Sequence, residues 1–477
     1  LATSRSCRLS SQWRGRPAAK IMEKAGAKRM VDRVPDLIIG NGVVVTCDSS
    51  SQVIEDGAVA LAGDRVADLG STRDLKQRYP GARFEDVGGR LVMPGMTCTH
   101  MHLYSTFARG MQLDGEPAHT FGQILERLWW RLDRALTEED VWMSAMMPLI
   151  WCVRNGTTTI LDHHSGPNAI PGSLDVIADA VTRVGMRASL AYEVSDRDGE
   201  NARDQGIAEN VRFIEACKGN RSPLLRATFG LHASFTLSDE TLRKCVDAPG
   251  AREAGFHIHT AEGIEDLIQS IRQYGQPVVK RLDKMGLWND KSLAVHCVHI
   301  SPEEIEILRE RDVNVVHNPE SNMGNAVGAA PVLEMVKRGV RVGLGTDGYT
   351  YDMFESIKVG NLIHKHKEAN PQAAWAEIPL MAFENNSKIL AKYWDVPLGV
   401  LTPGAYADLI VVNYWAPTPI TGSNWYSHVL FGVSGGMVDS TIVGGKFLMR
   451  RGELLTVNEQ EMAAKSREMA QRVWARA

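Results

Sequence analysis

Residues 90–105 read "RLVMPGMTCTHMHLYS", and the reading of this stretch decides the fold. The run "RLVMPGMTCTH" is apolar and strand-like, and His100 and His102 stand at its C-terminal end. Alternate residues of a strand point to one face, so the two imidazoles project together. Such a pair suits a metal ion, but an isolated His-x-His arises as readily by chance on a surface strand. The rest of the chain chooses between the two.

Outward from this stretch, between about Arg90 and Gly399, strand-like pieces alternate with helical ones such as "DVIADAVTRVG" and "SPEEIEILRERD". The further strand candidates are "TTTILDHH", "RASLAYE", "LRATFGLHA", "GFHIHTA", "LAVHC", "VNVVHN" and "RVGLGTD". Eight such repeats predict an α/β fold, a closed (β/α)8 barrel over 90–399, with an open doubly wound sheet as the alternative. Every candidate finishes at residues of metal-binding or acid–base type. In order these are His100 and His102; Asp162, His163 and His164; Glu193; His232; His257 and His259, then Glu262; His296; His317; and Asp347. With 14 histidines in 477 residues, buried apolar strands do not finish this way by chance. The C-terminal strand ends of a parallel barrel meet at one face, where active sites form. Three imidazoles and a carboxylate converging there suit a borderline-soft divalent ion such as zinc.

Both flanks have another texture. "DLIIGNGVVVTCD" and "AVALAGDRVADLG" read as hairpins, and "PGAYADLIVVNYW" and "STIVGGKFLMRRGEL" repeat the pattern, with a turn at Gly444-Gly445. Neither flank buries much alone. Residues 36–89 and 400–456 are therefore predicted to share one small composite β-sandwich into which the barrel is inserted, and 457–477 to form a C-terminal helix. Residues 1–35 are Arg- and Ser-rich with no acidic residue before Glu23. That is the composition of a transit peptide or of sequence translated upstream of a start at Met22 or Met30, and the segment is expected to lie outside the folded body.

A net charge of −4 and a pI near 6.4 give no general reason to bind nucleic acid or an anionic membrane surface. No apolar run approaches the roughly 20 residues of a membrane helix. Seven scattered cysteines without a Cys-x-x-Cys point to a reducing compartment, so a cytoplasmic enzyme is expected, and a homo-oligomer, dimer or higher.

The motifs "PGMTCTHMH", "HIHTAE", "AVHCVHIS", "VVHNPESNMGN" and "VGLGTDG" stand in the order and approximate spacing of the amidohydrolase superfamily. From Asp36 onward the chain resembles its branch of cytosine and guanine deaminases and triazine hydrolases. "LWWRLDRAL", "ILDHHSGP", "GGMVDSTIV" and "LGTDGYTYDMFE" resemble a narrower group, aminohydrolases named for an association with selenium metabolism. The resemblance implies that His100, His102, His259 and Asp347 hold one divalent metal, zinc before iron. It makes Glu262 a proton shuttle, places His296 beside the attacking water, and turns His232 toward the substrate. His232 stands at the fourth strand end, where a second metal would need a carboxylated lysine, so dinuclear amide-ring hydrolases are disfavoured.

The chemistry is complete in outline. Zinc lowers the pKa of bound water to roughly 7, giving a hydroxide that attacks an amino-bearing ring carbon. Glu262 passes a proton to the ring nitrogen, His296 orients the nucleophile, and Asp347 delivers a proton to departing ammonia. Of His163 and His164 at most one faces the cavity, and the choice falls on His164; Asn322, after the seventh strand, is a further candidate substrate contact. His257, His299 and His317 read as hydrogen-bonded supports. Trp129 and Trp130 are able to stack on a planar ring, but adjacent tryptophans on a helix more often serve core and interface. The expected activity is metal-dependent deamination of a purine, pyrimidine, pterin or triazine-like heterocycle. Hydrolytic dechlorination and opening of a cyclic amidine or imide use the same architecture, whereas a non-catalytic scaffold has no need of all six groups.

Overall fold

A computed structural model of the chain describes residues 33–112, 115–219 and 222–477. The expectations for the N-terminal segment fall almost wholly outside them. Eight parallel barrel strands run β1 Met96–Met101, β2 Thr157–Asp162, β3 Arg187–Leu190, β4 Leu225–Ala227 continued by Phe229–Ala233, β5 Phe256–Thr260, β6 Leu293–His296, β7 Asn314–His317 and β8 Arg341–Leu344. They fall into two hydrogen-bonded groups, the break lying at Thr228 within β4.

Two seams close the ring. At one, Val194 pairs with Leu231 and its carbonyl accepts the His232 N–H at 3.0 Å. At the other, Met101 pairs with Asp347, and the N–H groups of Thr346 and Asp347 both reach the His100 carbonyl at 3.1 Å. Each seam brings backbones so close that glycine is required. A Cβ on Gly230 would lie 2.3 Å from the Tyr192 oxygen, and one on Gly345 would lie 2.7 Å from the His100 oxygen.

A buried asparagine clamps each seam. The Asn210 oxygen accepts from the N–H of Tyr192 at 3.0 Å and of Gly230 at 3.2 Å, and its amide donates to the Tyr192 carbonyl at 2.8 Å. Asn386 does the same between β1 and β8, accepting from Leu344 N–H at 2.8 Å and donating to the carbonyls of Thr97 at 2.8 Å and Leu344 at 3.0 Å. Satisfying these strand groups avoids a penalty of about 1–3 kcal/mol for each that would otherwise be buried unpaired.

Both ends of the chain join one nine-stranded sheet. At its middle, Leu91–Pro94 lies between Leu37–Val45, to which it is parallel, and Leu409–Val412, to which it is antiparallel. The strands of the expected composite β-sandwich thus hydrogen-bond into one continuous sheet that curls. Leu37, Ile39 and Val59 from one end share an apolar cluster with Leu409, Val411 and Ile442 from the other. The curl returns on itself where Val66 N–H donates to the Ala405 carbonyl at 2.9 Å. Leu91–Pro94, which reads in the sequence as the start of the first barrel strand, belongs to this sheet, and the barrel begins beyond Gly95. The helix Glu459–Trp474, capped by Asn458, packs on the helix Glu138–Arg154, with Arg154 paired to Glu459. No helix among the described residues is long and apolar enough to cross a membrane.

Candidate active site

The C-terminal strand ends carry the polar residues to one mouth of the barrel. His257 and His259 lie two apart on β5, so both point inward, one layer above the other. The lower layer holds His100, whose Nδ1 is 2.8 Å from His257 Nε2. In the upper layer His102 and His259 face each other with their Nε2 atoms 3.1 Å apart.

Each imidazole is fixed through its outer nitrogen. His102 Nδ1 donates to the His163 carbonyl at 2.6 Å, and His259 Nδ1 to the His232 carbonyl at 2.8 Å. This leaves the inner nitrogens as donors toward a shared point, the arrangement by which proteins orient metal-binding histidines. Asp347 Oδ1 lies 3.2 Å from His102 Nε2 and 3.8 Å from His100 Nε2.

These donors fit a divalent cation. Two ligand atoms about 2.0–2.1 Å from one tetrahedral ion stand about 3.3 Å apart, close to the separations between His102 and its two neighbours. His100 Nε2 is buried without a hydrogen-bond partner. His100 and His259 are held well below the usual imidazole range, burial being the first cause in both, and neutral imidazole is the ligating form. Asp347 behaves oppositely. Burial works against its charge, but His102 overrides burial and holds the carboxyl well below the usual range. Burial also disfavours charge on His102, yet Asp347 and Glu193 push its imidazole up to about 10. The donor set therefore calls for positive charge beside Asp347. A neighbouring group, His102, His163, Glu193 and His259, shares two of these imidazoles and adds only His163 and Glu193.

Beside the donors stand the acid–base groups. His296 Nε2 is 3.4 Å from Glu262 Oε2 and 3.4 Å from Asp347 Oδ2. Its Nδ1 is held by the side-chain oxygen Oδ1 of Asn322 at 2.8 Å. The helix Pro319–Gly324 and the residue following it brace both carboxylates, Ser321 Oγ donating to Asp347 at 2.6 Å and Asn325 to Glu262 at 3.2 Å. Burial pushes Glu262 up to about 7, with His296 opposing and Asp347 assisting. A carboxyl poised there exchanges protons readily at neutral pH. Three of these strand ends are turned by non-glycine residues in the left-handed region, Ala261 (φ 48°), His296 (φ 71°) and Asp347 (φ 55°). Each costs about 1–3 kcal/mol and persists because its surroundings fix it.

The sequence-predicted residues meet here with two differences in placement. His100, His102, His232, His259, Glu262, His296 and Asp347 gather at the mouth, and His232 lines the cavity with Nδ1 tied to Thr236 Oγ1 at 2.8 Å. His164 and Asn322 do not line it. His164 lies between Tyr104 and Tyr192, while His163 stacks on His257 at 4.3 Å and brings Nδ1 to 3.3 Å from Glu193. Asn322 backs His296. Trp129 and Trp130, read in the sequence mainly as core, line the cavity together with Phe121, Leu125, Phe235 and Asp133. His257 supports His100 as expected, and His317 pairs with His364 at 3.0 Å below the mouth.

This architecture matches known proteins. Residues 91–448 match the model of the amidohydrolase family, and 57–82 match an imidazolonepropionase-like composite domain of bacteria. The chain belongs to the amidohydrolase family. It is 34% identical to the 5'-deoxyadenosine deaminase of Methanosarcina mazei over 92% of this chain and 99% of that protein. It is 31% identical to the 5-methylthioadenosine/S-adenosylhomocysteine deaminase of Pelotomaculum thermopropionicum, again over 92% and 99%. A zinc-bound adenosine deaminase from Xanthomonas campestris superposes with a TM-score of 0.83 at 25% identity, covering 93% of this chain and 99% of that one. The chain is thus a metal-dependent hydrolase of carbon–nitrogen bonds that removes an amino group from a heterocycle.

Proposed function

We propose that the substrate is a 6-aminopurine nucleoside without a phosphate, deaminated at the amino-bearing ring carbon. The names of the relatives support the ring and the sugar. The absence of phosphate rests on the cavity, whose lining carries five carboxylates (Asp133, Glu193, Glu262, Asp266, Asp347) and, among the described residues, no lysine or arginine. Like charge at close range repels an anionic substrate.

His100, His102, His259 and Asp347 would hold one zinc ion. When bound, such an ion is a Lewis acid that lowers the pKa of water toward about 7. The remaining steps belong to the side chains. Glu262, on the cavity wall, carries one of the two protons of the attacking water to the ring nitrogen next to the reacting carbon, which makes that carbon more electrophilic. His296, fixed through Asn322, turns Nε2 to the oxygen that adds to the ring. Asp347 Oδ2, held by Ser321 within reach of His296, takes a proton from the attacking water and gives it to the departing amine. Trp129, Trp130 and Phe235 enclose the ring and exclude bulk water.

The observation that carries this reading is the cluster in which Glu262, poised near neutrality, and the fixed imidazole of His296 stand 3.4 Å apart, with His296 also 3.4 Å from Asp347 of the ligand set. Ammonia release by zinc-loaded protein from 5'-deoxyadenosine, adenosine and adenosine monophosphate tests it. The two nucleosides are expected to react and the nucleotide to react at least about tenfold more slowly, a discrimination of about 1.4 kcal/mol. No release from either nucleoside would refute the ring assignment.

A further inference from the structure

The donor set and Glu262 are buried, so the reacting carbon lies deep in the cavity and the far end of a substrate points out through the mouth. Tyr349 stands at that mouth, in the turn that follows β8. It lines the cavity and yet is 54% exposed. Among the described residues it is the one exposed aromatic side chain of the cavity lining.

The backbone around Tyr349 is fixed on both sides. Before it, the Gly348 N–H donates to Asp347 Oδ1 at 2.7 Å. After it, Thr350 Oγ1 donates to Glu355 at 2.8 Å and accepts from the Asp352 N–H at 3.3 Å. From this base the ring reaches across to the helix Pro319–Gly324. A Cβ on Gly324 would lie 2.3, 2.6 and 2.7 Å from Cε2, Cζ and Oη of Tyr349, its three nearest neighbours. Gly324 is not among the glycines of positive φ, so its own backbone does not call for glycine. The approach of the tyrosine ring does. The phenol is thus a bar laid from the β8 turn onto the helix that braces Asp347 through Ser321.

We propose that Tyr349 is a specificity-determining residue whose ring, resting on Gly324, narrows the mouth and limits the bulk of the substituent at the end of the substrate remote from the amine. The inference rests on the nucleoside reading above and adds which position is sized. In an adenine nucleoside the remote end is the sugar, and the substituent is its 5' group. Selection of this kind works by a clash against the larger substrate, with no new attraction for the smaller one.

Two neutral probes with one base and one sugar separate bulk from charge: 5'-deoxyadenosine and 5'-benzylthio-5'-deoxyadenosine. Zinc-loaded wild type, Tyr349→Phe, Tyr349→Ala, Gly324→Ala and the double variant Gly324→Ala with Tyr349→Ala are assayed for kcat/KM on both. Zinc content and Tm are recorded for each protein.

Wild type is expected to prefer the smaller probe by at least about tenfold, and Tyr349→Ala to reduce that preference at least about fivefold by gaining on the bulky probe. Tyr349→Phe keeps the ring and should keep the preference. Gly324→Ala displaces the ring without replacing it. It should alter the preference at least about threefold where Tyr349 is present and leave it unaltered in the Tyr349→Ala background, because the two residues are in contact.

Four results would each overturn the proposal: no preference in wild type, an unchanged preference in Tyr349→Ala, its loss in Tyr349→Phe, or a Gly324→Ala effect that persists without the ring. Should Tyr349→Ala fail to fold, Gly324→Ala decides alone, and an unchanged preference there sinks the idea. Wild type inactive on 5'-deoxyadenosine would instead sink the nucleoside reading, and this inference with it.

Discussion

The cavity has two walls built on different principles. One consists of strand ends, where His100, His102, His259, Glu262, His296 and Asp347 are set by barrel register and braced by hydrogen bonds from carbonyls, Ser321, Asn322 and Asn325. The other is helical and mostly apolar, formed by Phe121, Leu125, Trp129, Trp130 and Asp133. The first wall has the tight polar connectivity that reaction chemistry requires. The second has aromatic surface with a single carboxylate, which suits enclosing a planar ring. Damage to the strand-end wall should abolish turnover of every substrate, and damage to the helical wall should change which substrate is preferred.

The largest effect expected is that of His259→Ala, which removes an imidazole from the donor set. Zinc content should fall from one equivalent per chain to well below one, and ammonia release should drop to background. Elemental analysis finding two equivalents in active wild type would contradict the single-ion reading of this wall.

Glu262→Gln comes next. The amide occupies the same space but cannot shuttle a proton, so turnover should drop by about 100- to 10,000-fold while zinc is retained. Loss of the metal along with activity would show that ligand and shuttle are not separate roles.

A third measurement varies the leaving group instead of the protein. Chloride departs without a proton, whereas the relay proposed for Glu262, His296 and Asp347 would protonate an amine. Matched 6-amino and 6-chloropurine nucleosides should therefore differ in favour of the amine. A chloro preference above about tenfold, roughly 1.4 kcal/mol, would overturn deamination as the main reaction and leave the donor set untouched.

The smallest effect belongs to the helical wall. Trp129→Ala removes an aromatic face worth about 0.5–1.5 kcal/mol. KM for the nucleoside should rise about three- to tenfold with kcat nearly unchanged. A loss confined to kcat would mean that the two walls do not divide binding from chemistry.

The two walls were also unequally legible in the sequence. His100 with His102, and His259 with Glu262, lie within one strand or its first turn, where side-chain direction follows directly from spacing. The helical wall has no such rule. A π-helical turn at Leu125–Trp129 shifts the register, so which side of the helix Trp129, Trp130 and Asp133 present cannot be counted from residue spacing. The choice between His163 and His164 was obscured for a similar reason. β2 ends at Asp162, and beyond it the backbone is held from two sides, His163 N–H on the Met101 carbonyl and His164 N–H on the Ala191 carbonyl, so strict alternation no longer applies. The Asn210 and Asn386 clamps were invisible because each reaches from a helix to strand ends to which no local spacing rule connects it.

The place of Leu91–Pro94 at the centre of the end sheet has a consequence for biosynthesis. Its partner Leu409–Val412 is made hundreds of residues later, and at about 5–20 residues per second the nascent chain spends on the order of tens of seconds without it. During that interval an apolar strand stands with one edge unpaired, a template for pairing with a neighbouring chain. Ribosomes that stall before residue 409 would release polypeptides that still bear this open edge. Yield of intact protein in the cell should therefore depend on chaperones that shield the strand until the late partner emerges.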